Sequence, residues 1–494
     1  MKKEKIDRGQ IPAEVSQVTK TLEDKGFGAY IVGGCIRDLL IGKRPKDWDV
    51  ATNATPEIIQ ESFDNTFYTN DFGTVGVVFE NTEDKTVKVI EVTPYRTEGK
   101  YSDARRPDSV IFSDNLADDL KRRDFTINAI AYNESKDELV DLYEGKEDLA
   151  KGLIKAVGEP SERFAEDALR MLRAVRIAAE LDFTIDPKTR DAIAENVDLL
   201  GKISKERIRD EFSRIILSDK PMKAIQLAHS LRMLKYIAPE LEAGIGIEQN
   251  QAHSYDVWEH NLRSLQHAAD KGWSFDIRLA ALFHDVSKPE TRRRSKEKDD
   301  WTFYGHDVVG GRVSKKALSN LKFPKETIEK VSSLVRWHMF FSDPDQVTLS
   351  AVRRIITNVG KENIWDLINL RICDRIGTGR PKEQPFRLRK YQAMIEEALR
   401  DPISVGMLKI DGEGIMNLLQ ETPGRRVGYI LHALLEEVLD DPSKNTKEYM
   451  ESRTKELAAL PPEELERLGE AGKEKKEEVD ALEVKKLHKK HFVD

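Results

Sequence analysis

Residues Tyr30–Val50, YIVGGCIRDLLIGKRPKDWDV, hold a glycine pair, an arginine and two aspartates within one short stretch. The apolar run Ala29–Val32 reads as a buried strand, after which Gly33 and Gly34 let the backbone turn tightly and approach a ligand. Ile36–Ile41 reads as a short helix, whose first-turn N–H groups and Arg37 can hold a triphosphate together with Gly34. Lys46–Val50 reads as the next strand. Residues two apart on a strand share a face, so Asp47 and Asp49 project together. Adjacent carboxylates repel unless cations lie between them. Hard oxygen ligands imply Mg²⁺, and a pair of such ions serves in-line phosphoryl or nucleotidyl transfer. Taken singly, a glycine pair marks a turn and an Asp-x-Asp a solvated strand end; their combined spacing carries the reading.

Outward from this stretch, 494 residues exceed a single core and imply about three or four domains. A formal charge of −8 with 34% charged residues excludes a global basic field, so an RNA partner would need a local basic surface drawn from the 80 Lys and Arg. Cys35 and Cys373 lie far apart and form neither a disulfide framework nor a zinc pattern, which fits a reducing compartment. No apolar stretch approaches the ~20 residues of a membrane span, and no apolar region follows MKKEKIDRGQ as in a signal peptide. The expectation is a soluble cytoplasmic protein without a membrane partner.

Helical spacing of Val15, Val18 and Leu22 predicts a helix over Pro12–Lys25, and another begins near Pro56. Gly73–Glu80 and Thr86–Thr93 read as strands joined by a turn at Asn81–Lys85, with Glu91 available as a third carboxylate. Tyr95–Phe112 reads as a polar, mobile loop beside the site. Asp118–Tyr132 and Ser161–Leu181 each read as one helix. In the second, Asp167, Arg170, Arg173 and Arg176 recur every three residues. As surface charges, Glu166 and Arg170 would contribute only ~0.3 kcal/mol of helix stabilisation. Ile203–Leu217 reads as an amphipathic helix, and Pro221–Pro239 as helices leading to a boundary near Gly244 and Gly246.

GG at 33–34 followed by Asp47 and Asp49 resembles the nucleotidyltransferase signature of the polymerase-beta superfamily. It is most similar to class II CCA-adding tRNA nucleotidyltransferases and bacterial poly(A) polymerases. The resemblance implies an α+β fold: a head with a mixed sheet and helices, then an all-α neck, an HD domain and a helical tail. RRDFTINA resembles the family's second motif, which implies phosphate contact by Arg123 and ribose contact by Asp124. DLYEGKEDL at 141–149 resembles the hinge between head and neck, with Tyr143 and Glu144 departing from a frequent Pro-aromatic pair. EDALRMLRAVR resembles the motif that selects the incoming base with protein side chains. A coupled Asp167 and Arg170 would then accept from the amine and donate to the neighbouring acceptor that C and A each present. U and G invert this pattern and would leave buried groups unpaired. Arg173 and Arg176 would lie near the phosphates. ISKERIRDEFSRIIL resembles the motif that braces the neck.

A second constellation comprises His260, the doublet His284-Asp285, and Asp374, with His306 and His338 nearby. Single buried histidines are ordinarily core or capping residues, but these fall on or beside successive helical segments. They resemble the HD superfamily of metal-dependent phosphohydrolases, with a divalent transition metal or Mg²⁺ on the first four residues and room for a second ion. In this family such domains are associated with phosphatase or 2′,3′-cyclic phosphodiesterase activity on RNA ends; a purely structural module is the alternative. Beyond Pro385, the region around Pro423-Gly424 and Gly428 resembles the family's C-terminal helices, where backbone amides with Arg425 and Arg426 could grip RNA phosphates; a helix cap is the equally economical reading. Lys485, Lys486, Lys489 and Lys490 read as a solvated tail, with contact to RNA as the alternative.

The expected regions are 1–140 for the head, 141–240 for the neck, 241–384 for the HD domain and 385–494 for the tRNA-binding tail. The expected reaction adds CMP, CMP and AMP from CTP and ATP to the 3′ end of tRNA, releasing pyrophosphate. Asp47 and Asp49 would hold two Mg²⁺ ions. The rivals are an A-adding enzyme or a poly(A) polymerase on the same scaffold, and an HD phosphohydrolase acting on RNA ends. ATNATPEIIQESF lacks the basic-aromatic segment frequent in bacterial poly(A) polymerases at this place.

Overall fold

The computed structural model describes residues 6–69, 73–99, 110–250, 253–295, 300–340, 347–400 and 405–493. The chain forms two compact units: Met1–His338 with Asn369–Arg380, and Met339–Ile368 with Pro381–Asp494.

The first unit opens with α1 (Ala13–Asp24), which buries Val15, Val18 and Leu22 along one face. Next come β1 (Ala29–Val32), α2 (Gly34–Leu40), β2 (Asp49–Thr52), α3 (Pro56–Ser62), β3 (Thr66–Tyr68), β4 (Val75–Val78) and β5 (Val89–Pro94). A short hairpin, β6 (Arg96–Glu98) with β7 (Val110–Phe112), leads to α4 (Leu116–Lys121), β8 (Ile130–Asn133) and β9 (Glu138–Asp141). Seven strands form one sheet in the order β3-β4-β5-β2-β1-β8-β9. Only the β2–β5 pair is parallel, so the sheet is mixed. Central β1 and β2 are buried nearly throughout, because neighbouring strands and helices cover them. Val32 pairs with Asp49 and Asp49 with Glu91, which sets two carboxylates side by side at the strand ends.

Three sequence expectations are corrected. The strand drawn over Lys46–Val50 is β2, Asp49–Thr52; Asp47 lies in the bend after Pro45, so proximity in a turn, not strand alternation, brings it beside Asp49. The helix drawn over Asp118–Tyr132 is α4, a single 3₁₀ turn at Thr126–Asn128, and β8. Pairing of β8 between β1 and β9 overrides the local helical pattern. The helix drawn over Ser161–Leu181 breaks into α6 and α7, as described below. Of the expected loop Tyr95–Phe112, both ends form the β6–β7 hairpin, while residues 100–109 lie outside the described residues.

The hinge stretch is built on close backbone approach. Asp141 accepts the N–H groups of Gly145 and Lys146 at 2.8 and 2.9 Å. A Cβ at Gly145 would lie 2.2 Å from the Thr126 carbonyl oxygen. Beyond it run α5 (Gly145–Lys151), β10 (Leu153–Ile154), α6 (Pro160–Glu166), α7 (Leu169–Leu181), β11 (Thr184–Ile185), α8 (Pro187–Asn196), α9 (Lys205–Leu217), α10 (Pro221–Ser230) and α11 (Leu234–Ile237). The unit continues through α12 (Val257–Asp270), α13 (Phe275–Phe283), α14 (Lys288–Thr291), the hairpin β12 (Arg293–Arg294) with β13 (Trp301–Thr302), α15 (His306–Asn320) and α16 (Lys325–Trp337). Buried Arg278 of α13 caps α9 by donating to the carbonyls of Ile216 and Ser218 at 3.1 and 3.0 Å.

The second unit contains α17 (Leu349–Val359) and the start of α18 (Ile364–Gly377), whose residues from Asn369 belong to the first unit. It continues with α19 (Phe386–Leu399), α20 (Gly412–Leu419), α21 (Arg425–Asp440), α22 (Lys447–Ala458) and α23 (Pro462–Lys490). Ile415, Ile430, Leu434, Met450 and Leu457 share its core. Lys485, Lys486, Lys489 and Lys490 are exposed, on the C-terminal part of α23, whose earlier turns pack on α21. Gly469 and Gly472 permit the approach, since added Cβ atoms would lie 2.6 Å from Tyr429 Cα and 2.2 Å from the His432 carbonyl oxygen. Lys490 pairs with Glu396 at 2.8 Å. Gly424 caps α21, and Arg426 pairs with Glu421 at 2.8 Å.

Candidate active site and metal centre

A cavity of about 910 Å³ lies between the sheet and the helices that follow it. Gly34, Arg37, Asp47, Asp49, Glu91, Arg123, Asp124, Asp167, Arg170, Arg173 and Arg176 all line it. Every residue singled out in the head and neck therefore reaches one place.

Gly33 explains part of the convergence. Its φ of +84° favours glycine, and a Cβ there would lie 3.0 Å from Arg123 Nη1 and 3.2 Å from Asp49 Oδ2. The glycine thus lets a guanidinium and a carboxylate meet over the turn. Burial pushes Asp49 up to about 7; Arg123 opposes the rise, while Asp47 and Glu91 add to it. Glu91 is also raised, first by burial and then by Asp47. Three carboxylates converging on one cavity, two of them with raised proton affinity, form a donor set suited to a hard divalent cation.

A chain of polar contacts runs from the glycine turn into the helices. Arg37 donates to Asn128 Oδ1 at 2.8 Å, and Asn128 Nδ2 donates to Asp124 Oδ1 at 3.1 Å. Arg173 pairs with Asp124 Oδ2 at 2.6 Å and stands 3.8 Å from Glu211, which Arg176 binds at 2.9 Å. Burial alone would raise Asp124, but Arg173 and the Asn128 amide override it and hold the carboxyl well below its usual range. Arg123 is fixed separately by Asp119, at 2.9 Å.

Asp167 marks the break between α6 and α7. Its backbone is extended, at φ −139° and ψ 102°, and its carboxylate accepts the Leu169 N–H at 3.0 Å. Side-chain-to-backbone bonding of this kind competes with helix continuation. Arg207 of α9 then grips the same carboxylate with both Nη atoms, at 3.1 and 2.7 Å. The expected Asp167–Arg170 coupling is accordingly corrected. Arg170 pairs with Glu166 at 2.7 Å and donates to the Arg122 carbonyl at 2.8 Å. The two residues face the cavity as independently anchored groups. Arg207 and Glu211 escaped the sequence reading because their helix offered only an amphipathic pattern; the clustering of RIRDE was the available signal.

The second constellation also assembles. His260, His284, Asp285 and Asp374 offer ligand atoms within 4.8 Å of one another, and so do Asp285, His306 and His338. All six are buried. Nδ1 of His284, His306 and His338 faces the carbonyls of Ala281, Phe303 and Val335, at 2.8, 2.6 and 2.6 Å. Those bonds fix the ring protons on Nδ1 and turn three Nε2 atoms inward. His306 and His338 Nε2 stand 3.3 and 3.6 Å from Asp285 Oδ1, neither in a hydrogen bond of good geometry. Neutral imidazole lone pairs aimed at a carboxylate suit a metal ion between them, with second-shell carbonyls fixing the tautomer. Lys288 Nζ lies 2.6 Å from Asp285 Oδ2; burial would raise that carboxyl, but Lys288 and His284 hold it well below its usual range. His253 stands edge-on to His260, with ring centroids 5.5 Å apart, and burial pushes it down to about 3. Lys288 and His253 were missed in the sequence, where a lysine three residues past the His-Asp doublet was the only sign.

Residues 29–155 match the poly A polymerase head domain, 182–245 the probable RNA and SrmB-binding site of polymerase A, and 257–376 the HD domain. A CCA-adding enzyme of Lactobacillus delbrueckii subsp. bulgaricus is 46% identical over 218 residues, covering 44% of this chain and 53% of the relative. The match thus spans about half the length of that relative, as it does for a CCA-adding enzyme of Limosilactobacillus reuteri. A CCA-adding enzyme of Enterococcus faecalis is 32% identical over 446 residues, 90% of this chain and 95% of the relative. The crystal structure of Bacillus stearothermophilus CCA-adding enzyme in complex with CTP superposes with a TM-score of 0.60 at 26% identity, covering 90% of this chain and 98% of that one. With near-complete coverage at this identity, the chain belongs to the CCA-adding enzyme family.

Proposed function

We propose that this protein adds CMP, CMP and AMP to the 3′ end of tRNA, from CTP and ATP, releasing pyrophosphate. The observation that carries the reading is the single cavity in which the Asp47, Asp49 and Glu91 carboxylates face the separately anchored Asp167 and Arg170. A 3′-hydroxyl oxygen attacks the α-phosphorus, the bond from that phosphorus to pyrophosphate breaks, and the hydroxyl proton leaves to solvent. Bound Mg²⁺ would lower the pKa of the attacking hydroxyl and neutralise the leaving group. Asp47 and Asp49 would hold it, with Glu91 adjacent. Arg37 and Arg123 take the triphosphate beside the glycine turn, and Asp124, fixed by Arg173, orients the ribose. Asp167 accepts from the exocyclic amine of C or A, and Arg170 donates to the neighbouring ring nitrogen. Arg173 and Arg176 supply positive potential near the phosphates.

The reading assigns residues 1–140 to the head, 141–240 to nucleotide selection, 241–384 to the HD domain and 385–494 to contact with the tRNA body. The two buried, unlinked cysteines fit a cytoplasmic site of action. Incubation with tRNA lacking its last three nucleotides, with each labelled NTP alone and in pairs, tests it. The expected products are CC from CTP alone and CCA from CTP plus ATP. Long A tracts from ATP alone would indicate a poly(A) polymerase instead, and addition of only one A to tRNA ending in CC an A-adding enzyme.

The buried histidine–aspartate cluster favours a second activity: metal-dependent hydrolysis of phosphate esters at RNA ends. Metal content after purification, with hydrolysis of a 2′,3′-cyclic phosphate under Mg²⁺, Mn²⁺, Ni²⁺ or Zn²⁺, tests that part. A metal-free, inactive wild type would make the domain structural.

A further inference from the structure

The hairpin β12–β13 is rooted in the histidine–aspartate cluster at both ends. It leaves α14, whose first residue Lys288 contacts Asp285, and returns through Phe303 to His306. Phe303 accepts from His306 Nδ1 at 2.6 Å, and Ser287 Oγ donates to the His306 carbonyl at 2.6 Å. Between those anchors the chain presents arginines and aromatic rings. Arg292 lies over the Trp301 ring at 3.6 Å from its centroid, and Arg294 lies 5.1 Å from the same ring. Tyr304, two residues before His306, is 88% exposed. An aromatic ring so exposed contributes little to folding, and guanidinium groups held on indole faces offer flat, cationic surfaces to a base or a phosphate. The cluster is also most open toward solvent at Asp374 and His306, whose side chains are 9% and 8% exposed, whereas those of His260 and His284 are fully buried.

We propose that Arg292, Trp301 and Tyr304 form a stacking platform for a single-stranded RNA end and deliver its terminal phosphate ester to the histidine–aspartate cluster. This rests on reading that cluster as a phosphohydrolase centre. RNA-end recognition commonly stacks splayed bases on aromatic and arginine planes while cations track the backbone. Glu248, 3.9 Å from Arg292, is the acidic neighbour, and its carboxylate is itself largely exposed. In the reaction, water oxygen bonds to phosphorus, one phosphorus–oxygen ester bond to ribose breaks, and the released ribose oxygen takes a proton. One water is consumed and a phosphomonoester remains.

The test compares full-length wild type, Tyr304→Ala and Tyr304→Phe on two substrates: a tetranucleotide ending in a 2′,3′-cyclic phosphate and the generic ester bis(4-nitrophenyl) phosphate. Tyr304→Ala should raise KM for the RNA about tenfold or more, the range expected for loss of one stacked base. It should lower kcat/KM for the generic ester far less than for the RNA, and Tyr304→Phe should restore RNA use. An equal loss on both substrates, or no loss on the RNA, overturns the platform. Photocrosslinking of the same tetranucleotide carrying 5-iodouridine, mapped by mass spectrometry, separates the two readings. Adducts at Tyr304 or Trp301 support the platform even if no metal gives hydrolysis, in which case the phosphohydrolase reading alone fails. Their absence overturns it.

Discussion

Removing Arg207 should degrade base choice without touching the reacting groups. Arg207 supplies two hydrogen bonds to Asp167, at 3.1 and 2.7 Å, across the break between α6 and α7. The side chains are 24% and 19% exposed, so the pair is only partly screened by water. A charge-assisted hydrogen bond contributes about 1.5–3 kcal/mol when buried, and exposed ion pairs contribute less than about 1. An intermediate value of roughly 1–2 kcal/mol for positioning Asp167 corresponds to about a 5- to 30-fold change in rate ratio. Arg207→Ala should therefore reduce the kcat/KM preference for CTP over UTP, and for ATP over GTP, by about that factor. Arg207→Lys keeps the charge but loses the fork, so it should give most of the same loss. The assay is single-nucleotide addition, to tRNA ending in its first C for CTP and UTP and to tRNA ending in CC for ATP and GTP, with thermal melting as a folding control. A folded Arg207→Ala variant as selective as wild type would refute the positioning argument. Equal loss of rate with all four nucleotides would place Arg207 in general support of the neck.

Asp47→Ala and Asp49→Ala should each abolish CMP and AMP incorporation while leaving tRNA affinity within about twofold, checked by primer extension and filter binding; near-normal turnover by either would contradict the metal assignment. The Asp124 carboxyl is held below its unfolded value, so its contribution to stability is present above about pH 4 and is lost as pH falls through the folded value; the acid limb of the stability curve should flatten in Asp124→Asn, measured by denaturant unfolding at several pH values. Gly145→Ala puts a Cβ 2.2 Å from a carbonyl oxygen and should destabilise the head by about 1–3 kcal/mol, read as a lower Tm. His284→Ala with Asp285→Ala should eliminate tightly bound transition metal, read by elemental analysis, and spare nucleotide addition, because the two sites share no ligand.

The sequence by itself made the residues around Gly33–Asp49 legible as neighbours of one cavity, because a glycine turn is a local property of the backbone; that a bend and not strand alternation joins Asp47 to Asp49 was not legible. It also determined α1, α2 and α9, where apolar periodicity and burial coincide. It marked the His284-Asp285 doublet because charged and imidazole groups at the end of an apolar helix are chemically conspicuous. Only the tertiary structure decided that Ile130–Asn133 is a strand, since its partners β1 and β9 lie elsewhere in the chain. It alone broke the helix at Asp167: the bonds that compensate the break come from Leu169 and from Arg207, and the latter lies 40 residues away. Asp167 and Arg170 looked like partners because the sequence shows only neighbours along one helix. The partner each carboxylate or guanidinium takes is set by which oppositely charged group a distant element brings within hydrogen-bonding distance, and that is fixed only when the chain folds.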